Sequence, residues 1–139
     1  MKINIFTAAD YVDASNGKLI IVGAFDNIET EKCPFLFKPF GIAIKIVREI
    51  QDRGKIYKGK ILLRKINTHK AIFEFPVEVK FPSEKLLKIM SINIAANIGG
   101  IKFESYGPYR LVLILNNKIV DFIRLRVVQK ISSNKILKK

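Results

Sequence analysis

Apolar and polar residues alternate with a period of two along most of the chain. In residues 90–98, for example, every even position is apolar and three of the four odd positions are serine or asparagine. This is the period of a half-buried β-strand, whose successive side chains point to opposite faces. The pattern predicts strands over residues 2–8, 11–15, 18–25, 40–49, 57–65, 71–80, 90–98, 109–115 and 118–128. No segment shows a capped helical period, although residues 83–88 could form one helical turn.

Turn-forming residues separate these segments. Asn16-Gly17 is the dipeptide that most readily adopts the positive φ angles of a two-residue type I′ hairpin turn. Asn116-Asn117 tolerates left-handed geometry between the last two strands. Pro76 has no N–H for a ladder hydrogen bond, so its strand is predicted to lie at a sheet edge or to contain a bulge.

Many closely spaced strands with almost no helix predict an all-β fold. We expect a single-domain antiparallel β-sandwich of about eight strands with immunoglobulin-like or Greek-key connections, and a closed barrel is the alternative. Tyr109 begins the penultimate strand, where a tyrosine can pack at a sandwich corner or be an ordinary aromatic at a strand start. The sandwich is predicted to span residues 1–130. Residues 131–139 lose the alternation and hold three lysines, which predicts a basic C-terminal tail.

Both ends of the chain resemble a known family. The strings that carry the resemblance are Ala9-Asp10-Tyr11, Asn16-Gly17-Lys18-Leu19, Gly23-Ala24-Phe25-Asp26 and residues 107–115 and 125–128. They are similar to those of an uncharacterised bacterial family of small β-sandwich proteins, whose N-terminal signature is Ala-Asp, Gly-Lys-Leu and Gly-x-Phe-Asp. The resemblance implies a single sandwich domain. It implies no activity, because the family has no established one.

The composition is that of a globular domain. The chain has 139 residues, of which 49% are hydrophobic and 27% charged, and these proportions exclude disordered and collagen-like classes. No apolar run is long enough to cross a bilayer, and the first nine residues lack the apolar stretch of a signal peptide. We therefore expect no membrane segment. A single cysteine, Cys33, suits a reducing compartment, so a cytoplasmic location is predicted.

The formal net charge of +13 is the one compositional outlier, and it is unevenly distributed. Residues 1–31 hold two bases and five acids, a balance of −3, so residues 32–139 hold 23 bases and seven acids, a balance of +16. Such asymmetry is typical of proteins that bind polyanions, because bases that neutralise phosphates release counterions. It also has a simpler explanation. Nineteen of the 25 bases are lysine and isoleucine is the dominant aliphatic residue, which is the bias of an AT-rich genome.

Candidate catalytic chemistry is sparse. His69 is the only histidine and lies in a polar turn, and a catalytic or metal role would need imidazole or thiolate partners that the chain does not supply. Cys33 has no fixed base in the sequence to activate it. The acids of the N-terminal third match no calcium-loop spacing. We therefore predict no catalytic residue, no metal site, no cofactor and no enzymatic activity.

A basic sheet face is the one candidate binding site. From residue 53 to residue 73 the chain has seven bases and no acid. The period of two places Lys58, Lys60 and Arg64 on one face of a strand, and Arg124 and Arg126 on one face of the last strand. If these strands are neighbours, the five side chains form a basic stripe able to bind a nucleic-acid backbone without reading sequence.

Single-strand binders also use aromatic platforms on which bases stack. Tyr57 is predicted to lie on the face opposite Lys58, which argues against it. Phe122 is predicted to share its face with Arg124, which favours it.

The functional prediction is a non-enzymatic binding or accessory module that acts through protein contacts at a sheet edge or loop. The protein partner and the oligomeric state are left open. The alternative is a polyanion-binding module that uses Lys58, Lys60, Arg64, Arg124 and Arg126. The two differ in their response to salt, because only phosphate-backbone contacts weaken by orders of magnitude with rising ionic strength.

Overall fold

The computed structural model describes residues 1–83 and 91–131, and β-strands dominate both ranges. In chain order the strands are β1 (Lys2–Asp13), β2 (Ile20–Phe25), β3 (Asn27–Thr30), β4 (Phe35–Phe37), β5 (Phe40–Val47), β6 (Ile56–Lys65), β7 (Ala71–Lys80), β8 (Ser91–Ile98), β9 (Ile101–Phe103), β10 (Gly107–Leu115) and β11 (Lys118–Gln129). One short 3₁₀ helix, Ile50–Asp52, follows β5. The all-β class is confirmed.

The strands form two large sheets and one small one. The four-stranded sheet has the order β2-β1-β5-β8, the five-stranded sheet has the order β3-β11-β10-β6-β7, and β4 pairs with β9. All pairs are antiparallel except β3 with β11, which is parallel. Ile42 and Ile44 of the first sheet and Leu63 and Leu111 of the second are fully buried in one common core. The two large sheets therefore pack as the predicted sandwich.

The strand count differs from the prediction. The described residues form eleven strands rather than about eight, and the three that the pattern missed are β3, β4 and β9. Each has only three or four residues, too few for an alternation to be visible. β1 also runs unbroken through Asp10, where the pattern predicted two segments, and its register against β2 is the same on both sides of Asp10.

The predicted type I′ turn at Asn16-Gly17 is wrong. Asp13 pairs with Ile20, so six residues connect β1 and β2, and of the two predicted turn residues only Gly17 has a positive φ, +72°. This loop makes a distant contact, since the Asn93 side-chain amide of β8 donates to the Gly17 carbonyl oxygen at 3.1 Å. The two-residue turn occurs instead between β10 and β11.

At that turn Leu115 pairs with Lys118, and Asn116 and Asn117 have φ angles of 48° and 64°. Both central residues are therefore left-handed, as a type I′ turn requires. The prediction that Asn116-Asn117 takes left-handed geometry is confirmed.

The structure decides two pairs of alternatives that the sequence left open. The strand that contains Pro76 is β7, which lies at the edge of the five-stranded sheet. Tyr109 is 1% exposed, and its hydroxyl donates to the carbonyl oxygen of Ser105 at 2.7 Å, as expected of a tyrosine at a sandwich corner.

The predicted helical turn at residues 83–88 lies outside the described residues except for Ser83, and the predicted tail lies outside them except for Ile131.

A second, smaller cluster lies on the outer face of the four-stranded sheet. Its buried members are Ala9, Val12 and Ala43, and the partly buried side chains packed against it are Leu19, Ile21 and Ala95. The alternate residues of β5, such as Ile42 and Ile44, face the main core, so Ala43 faces outward. The end of the β1–β2 hairpin therefore packs over small residues on the outer face of the four-stranded sheet.

Gly41 makes this covering possible. A Cβ atom at position 41 would lie 2.5 Å from Cγ2, 2.9 Å from Cγ1 and 3.1 Å from Cβ of Val12. Val12 is fully buried and, being β-branched, has little rotamer freedom with which to move aside.

We predict that Gly41→Ala lowers the free energy of unfolding by about 1–3 kcal/mol, the usual cost of overpacking a close-packed site. Urea unfolding measures the change. The matched control is Gly99→Ala, where no atom lies within 4 Å of the added Cβ. Adding Val12→Ala to Gly41→Ala should recover part of the loss, and strict additivity of the two substitutions would contradict the proposed clash.

Candidate functional site

The outer face of the five-stranded sheet carries the predicted basic residues. On β6, β10 and β11 the side chains of Leu63, Leu111 and Leu125 enter the core. Because neighbouring positions point the opposite way, Arg64, Arg110 and Arg124 lie on the solvent face.

Three arginines form a row across this face. Arg110 of β10 lies directly opposite Arg64 of β6 on one side and directly opposite Arg124 of β11 on the other. Neighbouring strands are about 4.8 Å apart, so the three side chains are crowded together. Within residues 1–83 and 91–131, no carboxylate lies within 4 Å of any of the three guanidinium groups. We call Arg64, Arg110 and Arg124 the arginine row.

An apolar row runs beside the arginine row. Val112 is two residues from Arg110 on β10, and it lies directly opposite Leu62 on β6 and Phe122 on β11. Leu62 and Phe122 are in turn two residues from Arg64 and Arg124. Leu62 and Val112 are buried although they lie outside the sandwich core, whereas the Phe122 side chain is 42% exposed. We call Leu62, Val112 and Phe122 the apolar row.

Arg110 connects the two rows. Its guanidinium carbon lies 4.6 Å from the centroid of the Phe122 ring, a cation–π contact that holds the side chain across the face. Its Nε atom is buried and, among the described residues, has no hydrogen-bond acceptor. Such an unsatisfied donor costs free energy, and in native structures it calls for an explanation.

The two lysines of the predicted stripe are in a different environment. Lys60 forms an ion pair with Glu74 of β7, with Nζ 3.1 Å from Oε1. Lys58 lies opposite Glu78 on the same edge strand. These acids reduce the positive potential at that end of the sheet, so the basic stripe consists mainly of arginine.

Arg126 continues the basic surface on β11, where it pairs with Pro108 on one side and Asn27 of β3 on the other. Arg124 and Arg126 line a shallow pocket together with Asp26 and Asn27. At the other end of the row, Arg64 and Arg110 line a cavity of about 400 Å³ that also includes His69, Asn67 and Thr68. The only histidine is thus a neighbour of the arginine row.

Tyr57 is a structural residue. Its hydroxyl donates to the carboxylate of Asp52, which is 2% exposed, and this hydrogen bond is the main cause that raises the pKa of Tyr57 to about 12. Its ring packs edge-on against Phe81 at a centroid distance of 5.9 Å. Tyr57 lies on the side of β6 that faces the core, as the alternation predicted, and it supplies no platform on the arginine face.

Arg64 and Arg124 lie on strands that are not neighbours, because β10 separates β6 from β11. The residue that joins them, Arg110, was not singled out as a binding residue by the sequence reasoning. The signal was present: residues 110, 112 and 114 alternate with buried leucines and therefore share a face. Only the strand order places that face between the two predicted sets of bases.

The described residues offer little other candidate chemistry. Among the described residues, no group of three or more histidine, cysteine, aspartate or glutamate side chains is placed to hold a metal ion. In the part of the chain that the structure describes, no helix has the length and apolarity needed to span a membrane. Cys33 is a free thiol of intermediate burial.

The fold and the site together define an all-β sandwich with an arginine-lined outer face. Residues 4–128 match the model of a family of unknown function (DUF6941), and the chain belongs to this family. The resemblance to an uncharacterised family is thereby confirmed. A search of curated proteins and a search of solved structures each found no match.

The arginine row should destabilise the fold at low salt, because like charges directly opposite each other on neighbouring strands repel. We predict that Arg124→Gln raises the free energy of unfolding by about 0.2–1 kcal/mol in 10 mM salt. The gain should vanish in 1 M salt, where the Debye length is about 3 Å. Urea unfolding at both salt concentrations measures it.

Lys118→Gln is the matched control, since it removes the same charge from β11 at a position opposite Leu115. It should give little gain. Equal gains in the free energy of unfolding from the two variants would show that the lower net charge, and not relief of repulsion in the arginine row, causes the stabilisation.

Proposed function

We propose that this protein is a non-enzymatic, cytoplasmic binding module whose arginine row contacts the phosphate groups of a polyanion. The observation that carries the proposal is the direct cross-strand alignment of Arg64, Arg110 and Arg124, with no acidic partner within 4 Å among the described residues. Such an alignment costs stability in the free protein. A bound polyanion would remove the repulsion and supply acceptors for the guanidinium donors.

The use of arginine rather than lysine on this face supports a binding function over a compositional bias. The chain has only six arginines among its 25 bases, yet four of them, Arg64, Arg110, Arg124 and Arg126, lie on this one face. Genomic bias alone predicts lysine at most basic positions. Arginine differs from lysine in its planar, five-donor guanidinium group, which binds phosphate through paired hydrogen bonds.

Two double variants test the proposal at equal net charge. Arg64→Gln with Arg124→Gln removes the ends of the arginine row, and Lys58→Gln with Lys60→Gln removes the lysines that lie beside Glu74 and Glu78. Binding of each variant to a labelled oligonucleotide is measured from 50 to 200 mM salt. We expect the arginine double variant to lose at least 10-fold in affinity and its log–log salt slope to fall by about 1.5, because each lost phosphate contact removes about 0.7–0.9 from the slope.

The lysine double variant should lose less in both quantities, because its bases are already paired or face acids. Equal losses in the two variants would contradict a role for the arginine row. Absence of binding by the wild-type protein would contradict the proposed function itself.

A contact with a protein partner is the second candidate function, and a specific surface favours it. Tyr11, Ile20 and Val22 are 52%, 45% and 53% exposed, and the last two lie on β2, an edge strand. β2 contains no charged residue and no proline, the usual devices that protect an edge from pairing. An extended segment of a partner could add to this edge as a further strand. Such a complex would survive 200 mM salt and would be insensitive to the arginine double variant.

A further inference from the structure

We infer that the polyanion is a single-stranded nucleic acid, with its phosphates on the arginine row and an unpaired base on Phe122. This inference rests on the proposed function and adds the class of ligand. It requires that the face recognise bases as well as phosphates, and Phe122, the exposed residue of the apolar row, provides the surface for it.

The two rows have the chemical layout of a single strand. A single strand carries a line of charged phosphates beside a line of flat, largely apolar bases. On this face the arginine row runs beside the apolar row, and the two are separated by two residues along each strand, about 6–7 Å. Because Leu62 and Val112 are buried, the apolar surface that lies beside the charge is the ring of Phe122, which matches one base of the ligand.

Phe122 is suited to stack a base. It is the only phenylalanine that is more than a third exposed among the described residues, and it lies in a basic surface, two positions from Arg124. One side of its ring contacts the Arg110 guanidinium at 4.6 Å from the centroid. A ring that is 42% exposed leaves room for a base, and stacking on an aromatic side chain tolerates any base because each has a π face.

Arg110 would act on both parts of the ligand. Its cation–π contact fixes the guanidinium beside the ring, so the donors of the group are ordered before the ligand arrives. These ordered donors are offered to a phosphate oxygen and to a base carbonyl of the ligand, whereas the Nε atom, which is buried and has no acceptor among the described residues, is out of a ligand's reach.

A duplex fits this face less well. Its bases are paired and stacked, so their flat faces are hidden, and a flat sheet would reach only its phosphates. The arginine row would then carry all of the binding, and Phe122 would contribute little. Phe122 is therefore the residue expected to distinguish a single-stranded ligand from a duplex.

The test uses Phe122→Leu in the full chain with two probes, an oligothymidylate single strand and inorganic polyphosphate. Leucine keeps an apolar side chain of similar size but has no π face. We expect Phe122→Leu to weaken binding of the oligothymidylate by about 5- to 150-fold, the range for one stacked base, and to weaken polyphosphate binding by a smaller factor, because polyphosphate loses only the cation–π contact that orders Arg110 and has no base to stack. Phe122→Tyr should retain binding of both probes, because the ring is preserved.

Ile119→Ala is the control for loss of apolar surface, since Ile119 is a 57% exposed residue of the same strand. It should change neither affinity. Duplex DNA of the same length is the third probe, and Phe122→Leu should weaken its binding no more than it weakens that of polyphosphate.

The inference and the proposed function fail in different ways. Equal weakening of oligothymidylate and polyphosphate by Phe122→Leu, or no weakening of either, would overturn the inference and leave the arginine row as a general polyanion site. Wild-type protein that binds neither probe would overturn the proposed function together with it. Unfolding curves for each variant establish that the comparison is made between folded proteins.

Discussion

The register of β6, β10 and β11 is the constraint on which the rest of the face depends. On the core side, Leu111 lies directly opposite Leu63 and Ile123, and all three contribute to the common core. A slip of one residue in either ladder would move a whole set of apolar side chains to solvent. Burial of the inner faces therefore fixes which residues lie opposite one another outside, and Arg64, Arg110 and Arg124 are aligned as a consequence.

The two large sheets differ in the charge of their edge strands and of their outer faces. In the five-stranded sheet, edge strand β7 carries Pro76, Glu74 and Glu78, and edge strand β3 has only four residues, which are features that discourage edge pairing. In the four-stranded sheet, edge strands β2 and β8 contain no charged residue. The charge is thus concentrated on one sheet, whose outer face holds the arginines. The other sheet has an outer face of small residues covered by its own hairpin.

Much of the fold could be predicted from the chain because period-two alternation reports directly on a half-buried strand. The long strands follow from local patterns. The edge position of Pro76 and the corner hydrogen bond of Tyr109 were each one of two alternatives that those patterns allowed. The predictions that failed concern the loop around Gly17 and the three shortest strands. These depend on contacts between residues distant in sequence, or are too short to show an alternation. The loop around Gly17 is shaped by its contact with Asn93 and the packing of Val12 over Gly41, and three short strands pair through partners remote in sequence. The site was predicted in part for the same reason. Alternation assigns Arg64 and Arg124 to faces of strands, but the order of strands, which no local pattern contains, places Arg110 between them.

Locating the bound polyanion on the protein tests most directly whether the arginine row is the binding site. Backbone amide NMR shifts of the labelled protein, followed during titration with a single-stranded oligonucleotide, report which strands sense the ligand. If the arginine row is the binding site, the largest changes fall on β6, β10 and β11 around Arg64, Arg110 and Arg124, with smaller changes near Lys58. Changes centred on the β1–β2 hairpin, or spread evenly over all basic surfaces, would contradict it.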